Sequence, residues 1–335
     1  MTPHRLPVLV LFVLVAGGVS ASPLFNQQDV LEMELEGPFT TLVANIPDRE
    51  QHDMTLRLDG FELPVRVRVR GKSRTRECEF PPLRLHFDKN DVKGTVFEGQ
   101  HKLKLATHCR DRASAEINLL DELAAYRAFE AVSGAAFRTR LVRIRYIDAA
   151  HKSKRAVTVR YAFLIESIGE LAGRINGTAL EVDGVRRSEI NEAQAALVYM
   201  FQYMIGNTDW SLVRNEEDEE CCHNLDLVEV DGSTYLIPYD FDLAGVVNAP
   251  YARPDPSLGL RSVRQRRYRG YCLPEPAHRR AIRHFVDRRR TILASAGSVP
   301  AADSDVARIV NYLDDFFDDT GKPDRLLARF GRYCL

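Results

Sequence analysis

The sequence predicts an α+β protein of two lobes: an N-lobe sheet with one helix against it (about 22–165), then a mostly helical C-lobe (about 166–335). Three observations carry this reading. Apolar and polar residues alternate with period two through the first half; a stretch near 113–132 breaks that pattern with helical spacing; and from Ser188 onward apolar residues recur mainly at helical spacing. No internal repeat or low-complexity linker divides the chain, so the whole of 22–335 is read as one bilobal domain.

The first residues read as a leader. Met1 to Arg5 is a short basic start, Leu6 to Ala16 is an apolar run too short to span a bilayer comfortably, and Val19-Ser20-Ala21 offers the small residues that signal peptidase reads. Residues 1–21 are therefore expected to be a signal peptide, the alternative being an uncleaved anchor. No later stretch is apolar for long enough to cross a membrane. The expected location is outside the cytoplasm: periplasmic, extracellular or at the cell surface, with no stable membrane span after cleavage.

In the N-lobe, strands are expected at Met54–Leu58, Val65–Arg70, Leu83–Phe87 and Leu103–Leu105, each with the alternation of a half-buried strand. A helix follows from about Ala113 to Val132, with Gly134 as its stop, and two more strands cover Leu141–Ile147 and Ala156–Ile165. In the C-lobe, Ser188 can cap a buried helix through Ile205. A hairpin then joins Leu225–Val230 to Thr234–Tyr239 through Asp231-Gly232. After a loop rich in Pro and Arg come helices near Pro276–Ala296 and Asp303–Asp318.

Charge excludes one class of partner. The formal net charge is −1, or −2 without Arg5, so the overall balance makes no case for nucleic acid or an anionic membrane. Six cysteines, an even count, suit disulfides in an oxidising compartment. Zinc is the rival use, but the spacing holds no Cys-x-x-Cys and only His223 adjoins the vicinal Cys221 and Cys222. Because a trans peptide points neighbouring side chains apart, Cys221 and Cys222 are each expected to reach a distant partner, foremost Cys109 and Cys272, leaving Cys78 with Cys334.

Two acidic clusters sit where elements end, the place where side chains can converge on a ligand. Gly206-Asn207-Thr208-Asp209-Trp210 follows the long helix, and Tyr239-Asp240-Phe241-Asp242 ends the hairpin, whose return brings Asn224 close to Asp240. A carboxylate near an acceptor hydroxyl, with an amide oxygen and a second carboxylate holding metal on phosphates, is what phosphoryl transfer requires. Such hard oxygen ligands suit magnesium or manganese.

Several segments resemble the CotH kinases, exported relatives of protein kinases first known as spore-coat proteins. They are Val67-Arg68-Val69-Arg70-Gly71-Lys72-Ser73, Pro82-Leu83-Arg84-Leu85-His86-Phe87, Lys102-Leu103-Lys104-Leu105-Ala106, Gly206-Asn207-Thr208-Asp209 and Ile237-Pro238-Tyr239-Asp240-Phe241-Asp242-Leu243. They follow the family's order over about 64–247. The resemblance implies an atypical protein-kinase-like fold and transfer of the γ-phosphoryl group of ATP, with Mg2+ or Mn2+, to Ser or Thr hydroxyls of exported or surface proteins. It implies Asp209 as the catalytic aspartate, Asp240 as the metal aspartate and Asp242 as its helper. Asn224 is chosen as second metal ligand over Asn215, since strand register weighs more than residue count.

For the nucleotide, the turn Arg70-Gly71-Lys72-Ser73-Arg74 would embrace phosphate with one glycine, backbone amides and basic side chains, Arg70, Lys72 and Ser73 being the chosen contacts. Lys104, with Lys102 as alternative, would contact the α and β phosphates, Glu122 or Glu116 would pair with it, and Glu166 would stand at the adenine. Charges at strand ends are often simply solvated, which is the bland reading of Glu122, Glu166 and Lys102. Asp209 and Asp240 lie between large apolar residues, where an unpartnered carboxylate costs several kcal/mol. The arginines of 261–269 and 279–290 are read as a dock for an acidic or phosphorylated partner, or else as a solvated face balanced by the aspartates of 303–319. Two other functions fit the residues: an inactive pseudokinase acting as a binding or coat-scaffold module, and a metal-dependent phosphoesterase using Asp209, Asp240 and Asp242.

Overall fold

The computed structural model describes residues 23–44, 46, 49–150, 156–182, 184–212 and 221–335. The expected leader 1–21 and Asn215 lie outside these. In chain order the elements are β1 (Leu31–Gly37), α1 (Phe39–Ala44), β2 (His52–Leu58), β3 (Phe61–Val69), α2 (Arg74–Glu77), β4 (Leu83–His86), β5 (Lys102–Ala106), α3 (Ala113–Val132), β6 (Thr139–Asp148) and β7 (Val157–Ile165). Then come α4 (Ile168–Arg174), β8 (Thr178–Leu180), α5 (Glu192–Met204), β9 (Leu225–Val230), β10 (Ser233–Pro238), α6 (Glu275–Ala296), α7 (Asp303–Thr320) and α8 (Pro323–Phe330).

The strand-rich half corrects the expected fold class. It is a closed seven-stranded barrel in the order β1-β2-β3-β4-β5-β7-β6, not the sheet of a bilobal kinase-like N-lobe. Closure comes from β1, a strand the sequence reading did not recognise. It pairs antiparallel with β2, Leu35 opposite Leu56, and parallel with β6, Leu35 opposite Tyr146. Joining both edges leaves no unpaired row of backbone donors.

Period two then sorts every strand into two faces. Leu35, Leu56, Val67, Leu85, Leu105, Ile144 and Leu164, one from each strand, fill the barrel. Each such side chain contributes about 1.5–3 kcal/mol on full burial. On the outer face of β5, β6 and β7, Ala106, Leu141, Phe163 and Ile165 join a second core with α3, α5 and α6. The expected single helix, α3, has the bounds read from sequence, yet it packs chiefly against α6 rather than lying on a sheet of its own.

A second sheet, β10-β9-β8, carries the hairpin. Its register places Leu225 opposite Pro238, and Tyr239 N donates to the Asn224 carbonyl at 3.2 Å. Asn191, not Ser188, caps α5, its side chain accepting from Gln194 N at 3.1 Å. Among the described residues no helix is long and apolar enough to cross a membrane.

The cysteines form Cys78–Cys109, Cys221–Cys222 and Cys272–Cys334, compatible with an oxidising environment. This corrects the expected long-range partners of Cys221 and Cys222. A trans peptide would point the two side chains apart, and the peptide between them is cis.

Candidate active site

Asp209 is held by a small network that begins inside α5. Asn207 is buried, its Nδ2 donating to Gln202 Oε1 at 3.0 Å while its Oδ1 accepts from Asp209 N at 2.9 Å. Trp210 Nε1 donates to the Asn207 carbonyl at 3.2 Å, and its ring stacks on Tyr199. The loop is thereby fixed on both sides of Asp209. Gly206, at φ +67°, gives the helix its exit where a Cβ would meet Tyr312.

The Asp209 carboxylate stays about one-third exposed, with His223 Nε2 at 3.2 Å from Oδ1 and Asn224 Nδ2 donating to Oδ2 at 2.9 Å. Asn224 Nδ2 also donates to the Asp209 carbonyl at 2.7 Å. The hairpin thus delivers two side chains to one aspartate.

The second acidic cluster is organised by a cation that sequence reading left outside its candidate list. Arg74, almost fully buried, donates Nη2 to Glu122 of α3 at 2.7 Å and to Asp240 at 2.5 Å, and its Nε lies 2.9 Å from Asp242. Tyr251 Oη donates to Asp242 at 3.0 Å, and Asp240 N donates to Tyr126 Oη on α3 at 2.9 Å. Asp240 sits at φ +60° and Asn224 at φ +54°, left-handed conformations that cost these residue types free energy and concentrate at functional sites.

One guanidinium cannot neutralise three ionised carboxylates, and burial decides which gives way. Burial pushes the Asp242 carboxyl up to about 8 despite Arg74, with Asp240, Glu122 and Asp209 adding to the rise. Burial raises Glu122 as well, against the pull of Arg74. For Asp240, burial is outweighed by Arg74, then Arg70 and Lys104, which hold it below the usual carboxylate range. Burial alone would lower the Arg74 guanidinium, but Asp240, Asp242 and Glu122 keep it charged. At neutral pH Asp240 is therefore held ionised, and Asp242 is largely protonated.

Arg70, Lys104, Arg74, Glu122 and Asp240 border one small cleft. Lys104 Nζ lies 3.7 Å from Asp226 and 4.6 Å from the Tyr239 ring centroid, so its nearest acid is on β9 rather than Glu122. Burial lowers its pKa, opposed by Asp226 and assisted by Arg70 and Arg84. Lys102 is exposed one row away, and Glu116 accepts from Tyr161 N at 2.7 Å. Gly71 takes φ +99°, and the turn is tied by Arg70 N to the Pro82 carbonyl and by Arg49 Nη2 to the Gly71 carbonyl, both at 2.8 Å. Lys72 and Ser73 are exposed on it.

Glu166 stands apart from this constellation. Its carboxylate is buried and occupied by Arg174, at 3.0 and 2.8 Å, and by Arg138 N at 3.0 Å. Two of the loop arginines turn inward: Arg266 Nε donates to the Met204 carbonyl at 2.9 Å, and Arg269 donates to the Thr208 carbonyl, so both brace the loop before Asp209, while Arg261 and Arg264 are exposed.

Beyond Arg74, a cavity of about 280 Å³ opens beside Asp242 and Tyr251, with Arg110, Arg112 and Arg253 at its walls. Sequence reasoning placed Arg74 in the phosphate turn rather than among the acids, and gave no site role to Tyr126, Tyr251 or His223. The available signal was that three acids brought into apolar surroundings require a buried cation, and Arg74 ends the turn already singled out. No protein-family model and no curated protein matches this chain.

Proposed function

We propose that this chain is an exported phosphotransferase of the CotH type in activity, moving the γ-phosphoryl group of ATP to Ser or Thr hydroxyls of exported or surface proteins. The observation that carries the reading is the meeting of an oriented, part-exposed carboxylate, Asp209, with a buried acid cluster whose ionised member, Asp240, faces Lys104 and Arg70. In the reaction, the acceptor hydroxyl oxygen attacks the γ-phosphorus, the bond from that phosphorus to the β–γ bridging oxygen breaks, and ADP leaves. The hydroxyl proton passes to the Asp209 carboxylate, which His223 and Asn224 hold in position. Lys104 and Arg70 supply positive charge to the phosphates.

Among the described residues no group of three or more His, Cys, Asp or Glu side chains is disposed to hold a metal ion. The donors present nevertheless fit Mg2+ or Mn2+, which take few protein ligands and complete their shell with phosphates and water. Asp240 and the oxygen of the Asn224 amide would hold the ion; Asp242, protonated and bonded to Tyr251, is a poorer ligand. When bound, a divalent cation neutralises charge on the phosphates.

Arg74 favours a second reading. It already neutralises the acid cluster, as expected of a binding or scaffold module that holds nucleotide without transfer. Incubating the purified chain with γ-labelled ATP, Mn2+ and exported proteins separates the two. Labelled Ser or Thr supports the phosphotransferase, and ATP binding without label supports the module.

A further inference from the structure

The outer face of β3, β4 and β5 carries an arrangement that folding alone disfavours. Strand register sets Arg68 opposite Arg84 and Arg84 opposite Lys104, and the next row repeats the pattern with Arg66, His86 and Lys102. Like charges directly opposite on neighbouring strands destabilise a sheet. Among the described residues the side chains of Arg68 and Arg84 make no hydrogen bond or ion pair, and Asp226 is paired with Lys104 at the end of the row. Arg84 is half-buried, and its pKa is lowered by burial and then by Arg70 and Arg68. His86 is lowered to about 4 by burial and then by the surrounding Arg68, Lys102, Arg84 and Arg66.

The row has a direction. Lys104 borders the cleft with Asp240, while Arg84 and Arg68 lead away from it across two strand spacings, about 10 Å. Guanidinium groups bind phosphate oxygens in bidentate fashion, and a linear anion crossing the strands would relieve the repulsion along the whole row.

We propose that this face holds the polyphosphate chain of the phosphoryl donor, with Arg84 and Arg68 as binding groups beyond Lys104 and Arg70. It rests on the phosphotransferase reading for the identity of the donor. The anion's reactive end lies at Lys104 beside Asp240, and the rest of the chain runs over Arg84 toward Arg68. The single-glycine turn is then not the main phosphate cradle; the strand face is.

Sodium tripolyphosphate without magnesium is the probe, followed by calorimetric titration and by melting temperature. Arg84→Ala and Arg68→Ala are compared with Arg143→Ala, an exposed arginine on the far strand β6. The free Arg84→Ala protein should melt no lower than the parent, since a repelling charge is removed. Tripolyphosphate should raise the parent's melting temperature and that of Arg143→Ala. Its affinity for Arg84→Ala should fall at least tenfold, with a smaller loss for Arg68→Ala. Unchanged affinity in both variants overturns the proposal, as does hexaglutamate binding as tightly as tripolyphosphate, which would make the face a dock for acidic protein. Full-rate transfer from ATP in Arg84→Ala also overturns it while leaving the phosphotransferase reading intact. Tripolyphosphate binding through Arg84 in a protein that transfers nothing from ATP supports the anion site and removes the phosphotransferase.

Discussion

Arg74 Nη2 donates to Glu122 at 2.7 Å, both side chains buried, and so fastens the turn after β3 to the middle of α3. The same guanidinium reaches Asp240 and Asp242 at the end of the hairpin. Barrel, helix and second sheet are therefore joined through one cation. Removing it leaves buried Glu122 without its hydrogen-bond partner and takes the guanidinium away from Asp240 and Asp242, a loss of about 3–5 kcal/mol for such sites. Arg74→Met should destabilise the protein by that order in urea denaturation, and adding Glu122→Gln should recover part of the loss. A single variant as stable as the parent would show that the cluster is not held by Arg74.

Metal dependence should follow Asp240 and Asn224. Asp240→Asn should raise the magnesium concentration needed for ATP to bind, measured by titration at fixed nucleotide, and Asn224→Ala should shift it the same way. If Asn215→Ala shifts it and Asn224→Ala does not, the assignment passes to Asn215.

Acid should destabilise the barrel through His108. Its ring is buried, stacked on Phe80 with centroids 4.9 Å apart, and burial, then the nearby Arg160, lowers its pKa to about 4 from an ordinary 6.5. The unfolded chain binds this proton first, so the stabilisation is complete above pH 6.5 and is lost as the pH falls toward 4. The full effect is of order 3 kcal/mol. Urea midpoints should drop between pH 7 and pH 5, and His108→Phe should reduce that drop, the remainder falling to His86 and His278, which burial lowers likewise; an unchanged slope in the variant would remove His108 as a source.

Cys78–Cys109 closes a loop over a sequence separation of 31 beside α2, which carries Arg74. Cys78→Ser with Cys109→Ser should cost about 3–4 kcal/mol, the scale for a loop of that length. The melting temperature of the variant measures it, and a loss well under 1 kcal/mol would mean that packing alone holds this loop.

Local signals were legible in the sequence and non-local choices were not. The bounds of α3 follow from helical spacing and Gly134, and the hairpin follows from alternation around Asp231-Gly232, because both depend on near neighbours. That hairpin also brings Asn224 to Asp209 and beside Asp240. Closure of the barrel depends on β1 finding β6 more than a hundred residues later, and Leu31-Glu32-Met33-Glu34-Leu35 says nothing of that partner. The same limit hid the partners of Arg74: they come from α3 and from the segment after β10, and no spacing in the chain links them. Lys104 was legible as a cation on a strand, whereas its neighbour Asp226 depends on how the second sheet meets the barrel.

In the proposed mechanism Asp209 serves transfer rather than nucleotide binding, since the groups that would hold phosphate and metal are Lys104, Arg70, Asp240 and Asn224. The most direct measurement compares the parent and Asp209→Asn in parallel, by ATP titration and by incorporation of γ-label into Ser or Thr of an exported-protein mixture with Mn2+. ATP affinity should stay within a few-fold while labelling falls about a hundredfold or more, the scale of losing a general base. Labelling by Asp209→Asn at the parental rate, or loss of ATP binding together with labelling, would contradict it.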